Sequence, residues 1–253
     1  MIISHKYKFI FIKTAKTAGT SIETFLSPIC GKDDVFTPFS EPEANHTPRN
    51  YQGVFNPIAD LKVKLSQLST FRFDSVYFVF RSTLTKFLRK QKYYHHITGW
   101  QIRNRLTSDL WDEYFKFCVV RNPYNKILSG WVWYNYKNHC SISMDEYIGY
   151  CSEWINQRDH MVGVGVCPYN IESYTDPHDG MILVDEMIHY ENLLEGLGHV
   201  LSKLGIELDP AKMPNSKSGL RNGMAYQEMI NSSQREKIYE VFNREFELHG
   251  YQF

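Results

Sequence analysis

Short apolar runs recur along the chain, each bounded by polar or turn-forming residues. Residues 7–12 (Tyr-Lys-Phe-Ile-Phe-Ile) are rich in strand formers and read as a buried parallel strand. A basic loop of small residues follows, then residues 20–26 with helical character, so the chain opens as a βα unit. Residues 28–60 hold many Pro, Asn and Asp with little periodicity. They read as a long irregular excursion, a length that usually carries function or disorder. Residues 61–68 have a weak helical pattern, and residues 73–80 (Phe-Asp-Ser-Val-Tyr-Phe-Val-Phe) read as a second strand. Helical segments fill 82–114. Residues 115–120 (Phe-Lys-Phe-Cys-Val-Val) form a further strand that ends at Arg121-Asn122-Pro123. Proline at a first helical position suits a helix from 123 towards 136.

The remaining pattern is more helical. Residues 143–155 read as an amphipathic helix and 160–180 as loop. Residues 181–184 and 187–190 read as a strand pair or one bent strand. A helix over 191–204 stops at Gly205, residues 209–224 form a polar loop, and 232–246 make a final helix. Strands alternating with helices predict an α/β domain over residues 1–253, its mostly parallel central sheet flanked by helices on both faces. There is no internal repeat or low-complexity linker.

Composition narrows the classes. The 253 residues suffice for one full core, and 43% hydrophobic with 22% charged residues reads as globular and soluble. Aromatics reach 15%, which suits either aromatic-lined clefts or an aromatic-rich core. Lys plus Arg equals Asp plus Glu at 28 each, so no global field attracts nucleic acid or an acidic membrane. Any anion site must be local. Cys30, Cys118, Cys140, Cys151 and Cys167 form no CxxC pair and are odd in number. That argues against a disulfide framework and a zinc site, and for a reducing, cytoplasmic setting. No apolar run approaches the ~18 residues of a membrane span, and Lys6, Lys8 and Lys13 interrupt any signal-peptide core.

The loop after the first strand carries the first candidate chemistry. It delivers Lys16-Thr17-Ala18-Gly19-Thr20-Ser21 to the mouth of a helix. Small residues let backbone approach an anion, and exposed N–H groups at a helix start favour negative charge. Thr20 and Ser21 add hydroxyls and Lys16 a full charge. The loop does not match G-x-x-x-x-G-K-[ST], because its lysine precedes its glycine. The serine or threonine that would hold magnesium is therefore out of place, and an anionic ligand bound without metal is favoured. By pattern alone, Gly19 and Thr20 could equally do no more than cap a helix.

Residues 9–21, Phe-Ile-Phe-Ile-Lys-Thr-Ala-Lys-Thr-Ala-Gly-Thr-Ser, resemble the 5′-phosphosulfate loop of sulfotransferases that use 3′-phosphoadenosine 5′-phosphosulfate (PAPS). The carbohydrate-type branch, which includes heparan sulfate 2-O-sulfotransferases, is the most similar. Many bacterial members read His-x-Pro before Lys-Thr-Ala-Gly-Thr-Ser, where this chain has Lys13-Thr14-Ala15. That departure leaves the role of Lys13 open.

Residues 121–129, Arg-Asn-Pro-Tyr-Asn-Lys-Ile-Leu-Ser, resemble the family's 3′-phosphate motif. Arg121 stands at a strand end, where ligands bind in open α/β sheets, and a guanidinium can hold a phosphate in bidentate fashion. Ser129 follows Asn122 by seven residues, about two helical turns, and returns to the same face. Alone, Arg121 could pair with a carboxylate and Ser129 be incidental. With the first loop about a hundred residues earlier, as the resemblance requires, the pair implies a ligand with two separate anionic ends, as PAPS has.

Sulfuryl transfer needs a base for the acceptor hydroxyl, and histidine suits neutral pH. His95 and His96 precede Ile97-Thr98-Gly99-Trp100, where related sulfotransferases carry a catalytic His. The register favours His96. If the pair is helical, the two side chains diverge by about 100° and only one can face the site. In this reading Lys16 offsets charge on the bridging oxygen as PAP leaves, and no metal is required. Further on, Tyr190-Glu191-Asn192-Leu193, Leu204-Gly205-Ile206, Pro214-Asn215-Ser216-Lys217-Ser218 and Phe246-Glu247-Leu248-His249-Gly250-Tyr251 resemble the family's tail in order. The resemblance implies that Lys217 and Ser218 close over the nucleotide, or else form a surface loop. Glu191 reads as a helix-start charge rather than a reacting group.

The combined expectation is one α/β, P-loop-like domain that moves a sulfuryl group from PAPS to a hydroxyl, on a carbohydrate acceptor. Rival readings are a P-loop kinase-like phosphotransferase and a non-catalytic nucleotide-binding protein. Acceptor choice is expected in residues 30–60 and 140–180, and the sequence does not state an oligomeric state.

Overall fold

The runs Phe9–Ile12 and Phe117–Val120 are apolar and buried at every position, so both faces of the sheet they form need cover. In the computed structural model, residues 1–39, 44–68, 73–157, 167–214, 223 and 225–253 are described. The strands are β1 (Ile2–Ser4), β2 (Phe9–Ile12), β3 (Val35–Phe36), β4 (Phe115–Val120) and β5 (Glu186–His189). The helices are α1 (Gly19–Leu26), α2 (Pro57–Ser66), α3 (Phe73–Leu88), α4 (Gly99–Arg103), α5 (Ser108–Glu113) and α6 (Pro123–Asn138). They continue with α7 (Met144–Gln157), α8 (Ile171–Tyr174), α9 (Leu193–Lys203), α10 (Tyr226–Met229) and α11 (Ser232–His249). Contacts group the chain into two compact units. One comprises Met1–Pro57, Thr85–Val120 and Glu172–Ser216; the other comprises Ile58–Leu84, Arg121–Ile171 and Lys217–Phe253.

The first unit holds the sheet, in the order β3-β1-β2-β4-β5. Its centre is parallel, with Phe11 opposite Phe117 and Val119 opposite Ile188. The β1 strand runs antiparallel to β2 and to β3. Phe9, Phe11, Phe117 and Val119 point to one face and pack with Ile22, Phe25 and Leu26 of α1 and Leu197, Val200 and Leu201 of α9. The alternate residue Ile12 points to the other face, where α4 lies so close that a Cβ on Gly99 would come 2.8 Å from its Cδ1. The expected α/β fold, with a parallel central sheet covered on both faces, is thus what forms.

The second unit is helical. Tyr124, Ile127 and Leu128 of α6, Tyr147, Ile148 and Cys151 of α7, and Ile238, Phe242 and Phe246 of α11 share one core. A buried ion pair, Lys126 with Glu245, ties α6 to α11, and Glu245 also accepts the N–H of Asn170 at 2.8 Å.

Two readings of the chain are corrected. Residues 73–80 are not a strand but the first half of α3. Their Val, Tyr and Phe content raises strand propensity, yet that propensity reflects a half-buried pleated surface that this segment does not have. The strand beside β2 comes instead from Ile2–Ser4, too short to show a period. Residues 181–184 carry only an isolated bridge, Ile182 with Thr175, and β5 is confined to Glu186–His189.

Candidate active site

The chain leaves β2 at Ile12 and turns through Lys13–Ala18 into α1. Lys16 (φ 62°) and Ala18 (φ 61°) both sit in the left-handed region. That conformation costs a non-glycine residue about 1–3 kcal/mol, and alternation of right- and left-handed residues is the backbone pattern of anion-binding concavities in general. Ala18 caps α1 without a side-chain acceptor, and the first turn contains no acidic residue. The positive end of the helix dipole at this start is therefore not offset by an acidic side chain of its own first turn. Lys16, Ala18 and Thr20 are half-buried at the loop surface, whereas Ser21 is buried. Thr17 is fully buried; its hydroxyl bonds Thr14 Oγ1 at 2.7 Å and the Thr14 carbonyl at 3.2 Å. Its side chain thus builds the loop, leaving its backbone as the part that could meet an anion.

Lys13 turns inward rather than towards the loop mouth. It is 2% exposed, its Nζ lies 3.3 Å from Glu23 Oε1 and 3.3 Å from Thr20 Oγ1, and it stands 4.2 Å over the Phe39 ring. Glu23 is completely buried and also accepts the amino group of Met1 at 2.6 Å, with His46 Nε2 at 3.7 Å. Burial would raise the Glu23 carboxyl, but the Lys13 and Met1 charges outweigh it and hold it well below the usual carboxylate range. This arrangement also explains Gly19. A Cβ there would stand 2.7 Å from Lys13 Cγ, so glycine is needed for the lysine stem to cross the helix start.

His95 and His96 lie in the turn before α4, not in a helix, and their rings meet edge-on at 4.1 Å. His96 takes φ 55°, which aims its Nδ1 at the Lys13 carbonyl, 3.0 Å away. A carbonyl only accepts, so Nδ1 carries the proton and Nε2 keeps the lone pair. His96 is exposed as a residue, yet the surrounding chain desolvates its ring. Desolvation there, and then the Lys13 charge, lower its pKa to about 4. His95 is half-buried, with Nδ1 lacking a hydrogen-bond partner. Desolvation and then its neighbour His96 push it down further. Thr98 caps α4 with Gln101 in a reciprocal pair, which fixes the turn carrying both histidines.

In the helical unit, Arg121 is 4% exposed and its guanidinium donates to Asn125 Oδ1 at 3.0 Å. Asn122 caps α6 by accepting the Tyr124 N–H at 3.0 Å and donates its amide to the Gln252 carbonyl at 2.8 Å. Ser129 is half-buried on α6. The expected nucleotide-closing residues Lys217 and Ser218 lie outside the described residues. Sequence reasoning missed Glu23 and His46. The signal for Glu23 was a lone carboxylate in the otherwise uncharged stretch from Thr17 to Leu26. Nothing in sequence marked His46.

The sulfotransferase family's sequence model matches residues 1–155, well over half of the chain, and the chain belongs to that family. It is therefore a protein of the class that transfers sulfuryl groups, generally from PAPS to a hydroxyl. The matched span takes in the Lys16–Ser21 loop, both histidines, Arg121 and Ser129. An uncharacterized protein of Archaeoglobus fulgidus is 34% identical over 115 residues, which are 44% of this chain and 86% of that protein. No solved structure matches. Among the described residues no helix is long and apolar enough to cross a membrane.

Proposed function

We propose that the chain is a PAPS-dependent sulfotransferase acting on a carbohydrate hydroxyl, with His96 as the base. The observation that carries this reading is the His96 Nδ1 contact with the Lys13 carbonyl, which commits Nε2 to accepting a proton. The fit to an anionic donor rests on the loop: two left-handed residues, an uncapped helix start and no acidic side chain in its first turn. The donor, when bound, supplies the sulfuryl group already joined to a phosphate leaving group.

The chain's residues then divide the work. His96 Nε2 takes the acceptor hydroxyl proton as the new oxygen–sulfur bond forms and the sulfur–oxygen bond to phosphate breaks. Lys16 offsets the charge left on that phosphate oxygen, and the backbone of residues 17–21 orients the anion. Arg121 and Ser129 are assigned to the 3′-phosphate by the motif they form, and Lys217 and Ser218 to closure over the nucleotide. We assign a single functional domain and a cytoplasmic setting; all five cysteines being free supports the latter. The test is incubation with PAPS and a panel of hydroxyl acceptors, saccharides included, following PAP release. Acceptor-dependent PAP is expected. If PAP neither binds nor forms with any acceptor, the reading fails.

A further inference from the structure

The α3 helix is inside out. Its buried positions are the small residues Ser75, Val79 and Thr83, each at most 2% exposed. Its exposed large apolar positions are Phe73 (83%), Tyr77 (56%), Phe80 (47%), Leu84 (54%) and, at the last position, Leu88 (70%). A surface helix ordinarily shows the reverse. We propose that this face of α3 packs antiparallel against the same face of a second copy of the chain.

Three observations choose that occupant. First, Phe73, Tyr77, Phe80 and Leu84 follow one another at intervals of four, three and four, the seam of a two-helix coiled pair with Phe73 and Phe80 at d and Tyr77 and Leu84 at a, and exposed Leu88 flanks that seam at e. Second, at roughly 200 Å² per large side chain, the stripe offers on the order of 500 Å² of apolar surface per copy. That supplies the apolar centre of a standard interface, which buries about 800 Å² per partner. Third, both exposed flanking charges, Asp74 and Arg81, fall at e positions. In an antiparallel pair e faces e, so Asp74 of each copy meets Arg81 of the other. A parallel pair would face them with Val76 and Thr83, which carry no charge. The mixed signs, and a chain with formal net charge +0, fit a second copy better than an anionic lipid surface.

The test is sedimentation velocity on the full chain at about 1–100 μM. A dimer, at twice the 29.8 kDa chain mass, is expected. Phe80→Glu should give a monomer with an unchanged circular dichroism spectrum. Asp74→Arg should weaken association by about tenfold, and Asp74→Arg with Arg81→Asp should restore it. A wild-type monomer throughout this range overturns the proposal, as does a dimer indifferent to Phe80→Glu. Failure of the charge exchange to restore association overturns the antiparallel pairing even if Phe80→Glu does not fold. Flotation with phosphatidylserine-containing vesicles that depends on Phe80, from a chain monomeric in solution, assigns the face to lipid instead.

Discussion

Replacing Glu23 by Gln keeps the shape of the side chain and removes the anion that Lys13 and the Met1 amino group face. Lys13 is 2% exposed and Glu23 completely buried, so water cannot replace the lost partner. Removing one member of a buried ion pair costs about 3–5 kcal/mol, because the other charge stays buried and uncompensated. At about 2–4 °C per kcal/mol for a chain of this size, the melting temperature should fall by about 6–20 °C. The acid side gives an independent signature. The folded carboxyl lies below its ordinary value of 4.5, so this contribution is full above that pH and is lost as pH falls further. Glu23→Gln should abolish that part of the acid destabilisation. Calorimetry from pH 3 to 8 reads both effects. Lys13→Met in a double-mutant cycle should recover a coupling of about 1–3 kcal/mol. A melting shift under about 2 °C, or additive single variants, refutes the reasoning.

His96→Ala should lower turnover by about 10²- to 10⁴-fold while leaving PAP affinity, measured by calorimetry, nearly unchanged. Because the His96 pKa is lowered to about 4, turnover should hold from pH 8 to 5 and fall as pH drops through that value, where the base becomes protonated. Lys13→Met removes a cation that lowers the His96 pKa, so the acid limb of the pH–rate profile should move to higher pH; a downward move contradicts the placement. Arg121→Ala should weaken PAP binding by about 10- to 100-fold through loss of charge-assisted hydrogen bonds, and unchanged affinity would remove Arg121 from the donor site. Gly19→Ala should destabilise the protein by about 1–3 kcal/mol, read by chemical denaturation, since its Cβ meets the Lys13 stem at 2.7 Å.

The central parallel strands, the helix opening at Pro123 and the basic loop between strand and helix were legible because each has a local cause. The strand-forming runs 7–12, of which 9–12 form β2, and 115–120 need no partner to be recognised, proline at a helix start is pre-set in φ, and the loop's small residues stand together in sequence. The α3 helix was misread for an equally local reason, since its aromatic and β-branched residues carry strand propensity whatever the neighbours do. The left-handed backbone of Lys16 and Ala18 was hidden, because only the β2–α1 geometry over-determines it.

The loop Lys13–Ser21 shows where the division falls. Sequence by itself determined that a basic, small-residue segment joins a strand to a helix and lacks the magnesium-holding order of residues. Only the tertiary structure decided what its two lysines do. Lys16 stays at the loop surface, while Lys13 is drawn inside by Glu23 on α1, ten residues on. The same fold set the Lys13 carbonyl against His96, separated by 83 residues. Residue type fixes which groups can carry charge or accept a proton. Which of them is desolvated, paired or aimed depends on segments far apart in the chain, and that is settled only when the core closes around them.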